Sequence, residues 1–324
     1  MLNDRPGKFR IMTTFARHIP LLVLVAVSAC SSTDRKEEIE SASRSGRPVT
    51  LVDAIGASVR LKEPARRVVT LAPNLTESLC AIGGRDLLIG RTSWCDYPAS
   101  VSTTPVIGNL QTIDYERIVS LRPDLILMSI AGNSEGAYRK LESLQLRPFA
   151  LDATTIDGVI ASLDTIGVLV GRETEARRTT DSLRRRIDRI RVASREYPTV
   201  SVLLVINRAP LMSVSRGFLS EAIDIAGGRN IVAGDGIMYP AVNREELLRH
   251  DPDVIIVPGT SADAVSELLA TYPEWRRLRA VRNGRIHVVS PDPLMRPGPR
   301  LVDGIEELAR LFHPPDAPES PRAP

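Results

Sequence analysis

The sequence is poor in the residues that most often mark catalysis or metal binding. It contains four histidines and three cysteines among 324 residues, and aromatic residues make up only 4% of the chain. The histidines lie too far apart along the chain to form the ligand spacings of a zinc site. A Walker loop is absent, and so is a GxGxxG motif after a predicted strand. We therefore predict no metal site, no cofactor and no catalytic residue.

Neither sign of charge dominates the chain. Lysine and arginine number 42, aspartate and glutamate 39, and the formal net charge is +3. Much of this small excess lies in the N-terminal segment and in one arginine-rich stretch. A field this weak does not attract a polyanion across a whole surface. Nucleic acid is therefore not expected as a partner.

The N-terminal segment has a short apolar run and no run of the about 20 residues that a membrane-spanning helix needs. The run Ile19–Ala29 follows Arg10 and Arg17, and small residues precede Cys30. This order is typical of a lipoprotein signal. We predict a signal over residues 1–30, lipid on Cys30, and an exported protein anchored to the membrane in the periplasm or at the cell surface. The polar, aperiodic residues 31–48 are expected to form a flexible tether.

Two further cysteines remain, Cys80 and Cys95. A disulfide between them would persist in an oxidising compartment. Cys80 falls on the apolar side of a short predicted helix and Cys95 falls in a loop, so we favour two free thiols.

What the sequence does contain is an internal repeat. Leu75–Gly90 returns as Leu219–Gly234 with a Gly-Gly-Arg triplet at the same place, and Tyr115–Met128 returns as Arg244–Val257 with a matching Pro-Asp pair. The copies lie much further apart than the about 20–50 residues of a solenoid repeat. We therefore predict two duplicated domains.

Short apolar strands alternate with helical segments in both copies, which indicates parallel βαβ units. We predict an α/β fold with an N-terminal lobe over residues 49–155 and a C-terminal lobe over residues 198–312. Residues 156–197 between them contain two helical segments, and we expect the longer, arginine-rich one to join the lobes with its arginines in solvent. Trp275 precedes two arginines and looks exposed. The proline-rich residues 313–324 are predicted to be disordered.

Ligands of open parallel sheets bind beyond the carboxyl ends of the strands, and in a bilobal protein those ends face each other across a cleft. Three aromatic residues fall in the loops predicted there: Trp94, Tyr97 and Tyr239. Three arginines fall in loops of the same kind: Arg208, Arg296 and Arg300. The aromatic rings suit a large planar ligand, and the arginines suit carboxylate or phosphate groups. Packing within the loop is the alternative role for each aromatic residue.

A glutamate occurs at the same place in both copies, Glu116 and Glu245, seven residues before the matched proline. Each follows a capping-type residue by two positions, where a carboxylate stabilises a helix N-terminus. Helix stability explains either glutamate but not why both copies keep one. We predict that the pair marks equivalent sites on the two lobes, for a partner with paired arginines. Glu77 and Glu221 also match, and we interpret them as helix-start residues.

Five segments together carry a family pattern: Arg66–Glu77, Ser93–Pro98, Gly108–Leu110, Glu116–Ile126 and Arg296–Arg300. They resemble the periplasmic binding proteins of ABC importers for vitamin B12, ferric siderophores and haem. The resemblance extends from about Val49 to Phe312. It implies a monomer with two Rossmann-like lobes, one long rigid helix between them, and a permease dimer with its ATPase subunits as partner. It also implies that Glu116 and Glu245 form salt bridges with arginines of that permease.

The choice of ligand follows from the same resemblance. The vitamin B12 receptors imply aromatic residues at Trp94 and Tyr239 and an acidic residue near Asp292, whereas two tryptophans of that pattern, near Leu110 and Ser129, are absent. We predict a metal chelate as ligand and favour a corrinoid.

Other ligands and other classes of function stay open. A ferric siderophore would rely on Arg208, Arg296 and Arg300, and haem would use Tyr239 as its ligand. An enzyme on the same scaffold would need a catalytic group in the cleft, and we identify none. A lipid-anchored scaffold with an unused cleft is the remaining alternative.

Overall fold

A computed structural model describes residues 47–234, 236–261 and 263–314. The predicted signal, Cys30 and most of the predicted tether lie outside the described residues, as does the predicted disordered tail beyond residue 314. Within these ranges no helix combines the length and apolarity that crossing a bilayer requires.

The described chain starts with an antiparallel hairpin of β1 (Val49–Val52) and β2 (Ser58–Leu61), as the alternating pattern predicts. Asp53 fixes the turn by accepting the backbone N–H groups of Ile55 and Ala57. Its other carboxylate oxygen accepts the Tyr138 hydroxyl at 2.8 Å and the Ala150 N–H at 3.1 Å. The hairpin is thereby tied to the first lobe.

The first lobe is built on a sheet of four parallel strands in the order β4-β3-β5-β6. Its strands are β3 (Val68–Thr70), β4 (Leu88–Arg91), β5 (Leu125–Ser129) and β6 (Pro148–Leu151). Its helices are α1 (Pro73–Ala81), α2 (Tyr115–Leu121) and α3 (Glu135–Ser143), with short 3-10 turns at Arg85–Leu87 and Ala99–Thr103. Strand and helix alternate along the chain, which is the predicted βαβ pattern.

Two consecutive helices follow, α4 (Ile156–Val170) and α5 (Glu173–Ser194), close to the predicted bounds. Gly171 separates them with φ 68°, a left-handed conformation that suits glycine. At about 1.5 Å per residue, the 22 residues of α5 span roughly 33 Å. Most of its arginines are exposed, but Arg186 forms an ion pair with Asp303 at 2.6 Å and with Glu306 at 2.8 Å.

The second lobe repeats the first. Its strands are β7 (Val200–Arg208), β8 (Leu211–Ser213), β9 (Gly228–Asn230), β10 (Val254–Pro258) and β11 (Ile286–Val289). Its helices are α6 (Phe218–Ile225), α7 (Arg244–His250), α8 (Ala264–Thr271), α9 (Arg279–Arg282), α10 (Pro291–Met295) and α11 (Leu301–Phe312), with a 3-10 turn at Pro273–Arg277. The parallel strands of this sheet lie in the order β9-β7-β10-β11, which corresponds strand by strand to the order β4-β3-β5-β6 of the first lobe. The short strand β8 pairs antiparallel with β7 and has no counterpart in the four-stranded sheet of the first lobe.

The repeated Pro-Asp pair has the same structural role in both lobes. The helices before it, α2 and α7, end on left-handed residues: Arg122 with φ 45° and Asp251 with φ 43°. The Asp124 carboxylate then accepts the Arg67 N–H at 2.9 Å, just before β3. The Asp253 carboxylate accepts the Ser201 N–H at 2.8 Å, at the start of β7. Each aspartate thus fixes the start of the central strand.

Alternate residues of the strands face two different cores. In β5, Leu125 and Leu127 join one cluster of buried residues, while Ile126 and Met128 join another with α2 and α3. The first cluster also contains the inward residues of β7 and β10 and the apolar faces of α1, α4, α5, α6 and α11. The two lobes therefore share one core through their middle helices, as expected for bilobal α/β architecture with a helical link.

Trp275 was predicted to be exposed, and this prediction was wrong. Its side chain is fully buried, at 0% exposure, and stacks on Tyr272 with ring centroids 5.2 Å apart. The 3-10 turn at Pro273–Arg277 points the tryptophan inward while the two following arginines stay exposed. The two charged residues that follow Trp275 therefore made a core residue look exposed in the sequence.

Candidate functional site

Segments that follow strands of the two sheets contact each other across the lobes. Asn74, shortly after β3, donates through its side chain to the Pro297 carbonyl at 3.2 Å. On the other side, the Phe218 N–H donates to the Thr154 carbonyl at 2.8 Å. Since these residues lie in or next to segments that follow strands, the space between the lobes is bordered by the loops in which ligands of such sheets bind.

The loop that presents Trp94 is fixed by a buried arginine at the end of β4. The Arg91 guanidinium donates to four backbone carbonyls, those of Thr92, Cys95, Val101 and Ser102, at 2.9–3.2 Å. Trp94 itself is 55% exposed. A large apolar ring is therefore held in solvent by a loop that is itself well ordered by hydrogen bonds.

Tyr97, in the same loop, already has a partner. The Arg300 guanidinium lies over its ring, 3.9 Å from the centroid, in cation–π geometry. The tyrosine remains half exposed, so one part of the ring faces solvent. A cavity of about 370 Å³ beside it is lined by Glu77, Cys80 and Arg300 among others.

Tyr239 lies on a segment that pairs with residues 211–215 of the second lobe. The Ser213 N–H donates to the Pro240 carbonyl at 3.1 Å, and the Ser215 N–H donates to the Met238 carbonyl at 2.9 Å. Tyr239 is 37% exposed, and its neighbour Ile237 is more exposed still. Partial burial raises the pKa of the Tyr239 phenol, so the group is protonated at neutral pH and can donate a hydrogen bond.

The three predicted anion-binding arginines are already paired. Arg208 Nη1 lies 2.9 Å from Glu267 Oε2. Arg296 and Arg300 are mostly buried and bind carboxylates, including Asp292, whose Oδ1 lies 3.1 Å from Arg296 Nη2. The structure therefore brings Asp292, Arg296 and Arg300 together as one ionic network and leaves no free guanidinium among the three.

The helix-start interpretation was wrong for Glu77, whereas Glu221 does lie in the first turn of α6. Glu77 lies at the fifth position of α1, whose N-cap is Ala72 without a side-chain hydrogen bond, and its carboxylate pairs with Arg300 at 2.6 Å. Glu221 accepts the N–H of Ile156, at the start of α4, at 2.7 Å. Both glutamates connect segments far apart in sequence. The repeat was the signal that could have identified them.

Glu116 and Glu245 lie on the first turns of α2 and α7, as predicted. Asp114 caps the first helix by accepting the Arg117 N–H at 2.9 Å, and Asn243 caps the second by accepting the Glu245 N–H at 2.8 Å. Both glutamates are exposed. Neither forms an ion pair with any residue in the described part of the chain, so both carboxylates are open to a partner.

One catalytic-type motif of the first lobe was overlooked in the sequence. Gly132–Gly136 reads Gly-Asn-Ser-Glu-Gly between β5 and α3, which matches the G-x-S-x-G pattern of hydrolases. Ser134 is the N-cap of α3, and its hydroxyl accepts the Ala137 N–H at 3.2 Å. No histidine of the described ranges hydrogen-bonds to it. The serine thus ends a turn and starts a helix, without the base that a nucleophile needs.

Cys80 and Cys95 are free thiols. Burial raises the pKa of the Cys80 thiol to about 11, so it is protonated at neutral pH and a weak nucleophile. Cys95 is buried and its sulfur lies 3.1 Å from the Thr92 hydroxyl. Both side chains therefore contribute packing rather than reactivity.

The known proteins that this chain resembles in sequence and in structure are substrate-binding proteins. Residues 68–293 match the family described as periplasmic binding protein. A vitamin B12-binding protein of Vibrio cholerae is 29% identical over 250 residues, 76% of this chain and 88% of that protein. An uncharacterized ABC transporter substrate-binding lipoprotein of Bacillus subtilis is 27% identical over 304 residues, 91% and 95% of the two chains. A periplasmic heme-binding protein from Pseudomonas aeruginosa has a similar structure, with TM-score 0.70, 27% identity, and coverage of 79% and 95%.

Proposed function

The chain belongs to the periplasmic binding protein family, and we propose that it captures a metal chelate, with a corrinoid as the first candidate, for an ABC importer. Its relatives are binding proteins, which agrees with the prediction that the chain is not an enzyme. The chelate is cargo, and the protein supplies the cleft that holds it.

The observation that carries this proposal is the pair of exposed aromatic residues on opposite lobes. Trp94 follows β4 of the first sheet and Tyr239 lies on the segment beside β8 of the second. Hydrogen bonds fix the backbone on both sides, so the rings are presented before any ligand arrives. Apolar rings left in solvent at a cleft mark a binding surface, and two rings from two lobes suit a broad, partly apolar ligand.

The two competing ligands have less support. A ferric siderophore is anionic or polar, and the three arginines that would bind it already have carboxylate partners. Haem would be held by Tyr239, which is protonated at neutral pH and would have to lose its proton on binding iron. The named relative that binds vitamin B12 adds weight to the corrinoid.

Thermal unfolding tests this proposal. The chain from Ser31 onward is heated alone and with cobalamin, a ferric hydroxamate or haem. A ligand at one hundred times its dissociation constant adds about 2.7 kcal/mol of stability, which corresponds to a rise of roughly 5 °C in melting temperature for a protein of this size. We expect this rise with cobalamin. A rise with only haem or only the hydroxamate would identify that compound, and not cobalamin, as the ligand. No rise with any of the three compounds would refute the receptor function.

We further propose that Glu116 and Glu245 bind the permease. The repeat places them at equivalent positions of two similar lobes, both exposed and both preceded by a capping residue. A permease dimer has two equivalent halves, and an arginine from each half could bind one glutamate in a charge-assisted pair.

Paired substitutions separate docking from ligand binding. Glu116→Ala with Glu245→Ala should abolish chelate uptake and leave the dissociation constant of the chelate unchanged. Glu142→Ala with Glu246→Ala, two other exposed glutamates on the two lobes, serves as the matched control and should transport normally. Loss of affinity in the first variant would instead assign these glutamates to the binding site.

Finally, we propose that Cys30 is lipidated and anchors the protein outside the cytoplasm. The Bacillus subtilis relative is named a lipoprotein.

A further inference from the structure

Glu77 is an ionisable residue buried where the two lobes meet. It lies in α1 with 3% exposure. Arg300 donates through Nε and Nη2 to its two carboxylate oxygens, at 2.8 and 2.6 Å, and Arg296 Nη1 lies 3.3 Å from Oε1. The partners are 219 and 223 residues apart in sequence. This cluster therefore joins the lobes.

The same arginines reach the loop that presents the first aromatic residue. Arg296 Nη1 lies 2.6 Å from Asp96 Oδ1, and the Arg300 guanidinium covers one face of the Tyr97 ring. Asp96 and Tyr97 lie two and three residues after Trp94 in the same loop. The loop of the first lobe is thus attached to the segment of residues 291–300 of the second through side chains that Glu77 orients.

The cluster is satisfied internally. Arg296 has Glu77, Asp96 and Asp292 within 3.3 Å, and Arg300 has a two-point contact with Glu77. Two guanidinium groups therefore meet three carboxylates. An anionic ligand would have to displace a carboxylate to bind either arginine, and a displaced Glu77 would be left as a buried, unpaired charge. The arginines act on the cleft through the loops they hold.

The repeat supplies an independent observation. Glu221, the counterpart of Glu77, also connects its lobe to the segment that follows the last strand of the other lobe. It accepts the N–H of Ile156 at the start of α4, whereas Glu77 binds Arg300, the N-cap residue of α11. Each copy of the repeat therefore places a glutamate of its first helix at the start of a helix beyond the opposite sheet.

We propose that Glu77 is a positioning residue of the ligand cleft, which fixes the angle between the lobes and the placement of Trp94 by holding Arg296 and Arg300. The assignment of the cleft as the ligand site rests on the proposed function, but the fixed angle does not. A cleft shaped in advance loses less conformational freedom when a ligand binds. Glu77 therefore contributes to affinity without touching the ligand.

Distances between the lobes test the fixed angle without any ligand. The described lobes belong to one compact unit that starts at Gly46, so the chain from Ser31 can be used with Cys80→Ala and Cys95→Ala. Spin labels at Ser120→Cys and Arg249→Cys, exposed positions on α2 and α7, report the inter-lobe distance by double electron–electron resonance. We expect one narrow distribution, which Glu77→Gln broadens or shifts. Glu246→Gln, an exposed glutamate on α7, is the control and should change nothing.

Affinity provides the second readout, with cobalamin as the probe. Glu77→Gln should weaken binding by at least about tenfold, a change of about 1.4 kcal/mol, while Glu246→Gln should not. An unchanged distance distribution in folded Glu77→Gln would overturn the proposal, and so would a broadened distribution with unchanged affinity. If no chelate binds the wild-type protein but Glu77→Gln still broadens the inter-lobe distance distribution, the proposed ligand is refuted and the role of Glu77 in fixing the angle between the lobes is supported.

A milder variant tests the proposed positioning role if Glu77→Gln does not fold. Asp96→Asn alters an exposed carboxylate and leaves the buried Glu77 pairs in place. It should raise the amide exchange rates of residues 92–98 by about tenfold or more while the melting temperature stays close to that of the wild type. Unchanged exchange in this loop would show that Arg296 does not position it, and would overturn the proposal.

Discussion

Replacing Trp94 by alanine should weaken ligand binding strongly and leave the fold intact. The residue is exposed, and the surrounding loop is held by Arg91 and backbone hydrogen bonds rather than by the indole ring. Surface substitutions away from caps, cores and ion pairs usually change unfolding free energy by no more than about 0.5 kcal/mol. The whole effect should therefore appear in the dissociation constant.

The exposure of Trp94 sets the size of the effect. A tryptophan side chain can bury about 250 Å², and at 55% exposure roughly 140 Å² is left for a ligand to cover. At about 25 cal/mol per Å², complete coverage contributes at most about 3.5 kcal/mol, and coverage of one ring face about half of that. We expect a loss of affinity between about tenfold and a few hundredfold.

Isothermal titration calorimetry of Trp94→Ala with cobalamin measures this loss. Trp94→Phe should recover much of it, because a second aromatic ring still offers a flat apolar face. Val192→Ala, which truncates an exposed apolar residue on α5, is the control and should bind like the wild type. An unchanged dissociation constant in Trp94→Ala would refute the assignment of this loop to the ligand site.

Three other predictions concern anchoring and stability. Cys30→Ser should release the protein from membranes and abolish incorporation of labelled palmitate, whereas retention of both would exclude the predicted lipid. Trp275→Ala should lower the unfolding free energy by about 3–5 kcal/mol through loss of a buried ring, measured in urea; a change below 1 kcal/mol, on the scale of a surface substitution, would contradict its core position. The hydrogen bond from Arg186 lowers the pKa of Glu306, so this pair stabilises the fold above the ordinary glutamate pKa of about 4.3 and its contribution is lost as pH falls through the lowered value. Urea midpoints between pH 6 and 3 should accordingly fall less in Arg186→Ala than in the wild type, and equal slopes would contradict this.

The parts of the fold that depend on local pattern could be predicted from sequence. Alternating strands and the capping residues Asp114 and Asn243 each depend on a few neighbouring residues, and each occurs where the pattern predicts it. The duplication extended this local information to topology, because two copies of one unit should share one strand order, and they do.

The ion pairs between the lobes could not be predicted in this way. Glu77 looks like a residue of a helix start, and nothing within its own turn reveals that Arg296 and Arg300 lie beside it. From the sequence alone, one can predict only that Glu77, Arg296 and Arg300 each lie near the end of a strand. Pairing depends on how the lobes dock, which local pattern does not encode. For the same reason the arginines looked like free anion sites, although the fold gives each of them a carboxylate.

Burial of Trp275 was missed for a related reason. Two arginines follow it, and a count of neighbouring charges favours exposure. In the short 3-10 turn, successive side chains point in different directions, so a tryptophan can enter the core while its neighbours stay in solvent. Composition over a few residues cannot resolve such a turn.

One chelate bound between the lobes should contact both of them. Hydrogen–deuterium exchange with and without saturating cobalamin measures this contact. We predict slower exchange both in residues 92–98 of the first lobe and in residues 236–242 of the second, with one ligand bound per chain. Protection confined to one lobe, or located away from both segments, would contradict it.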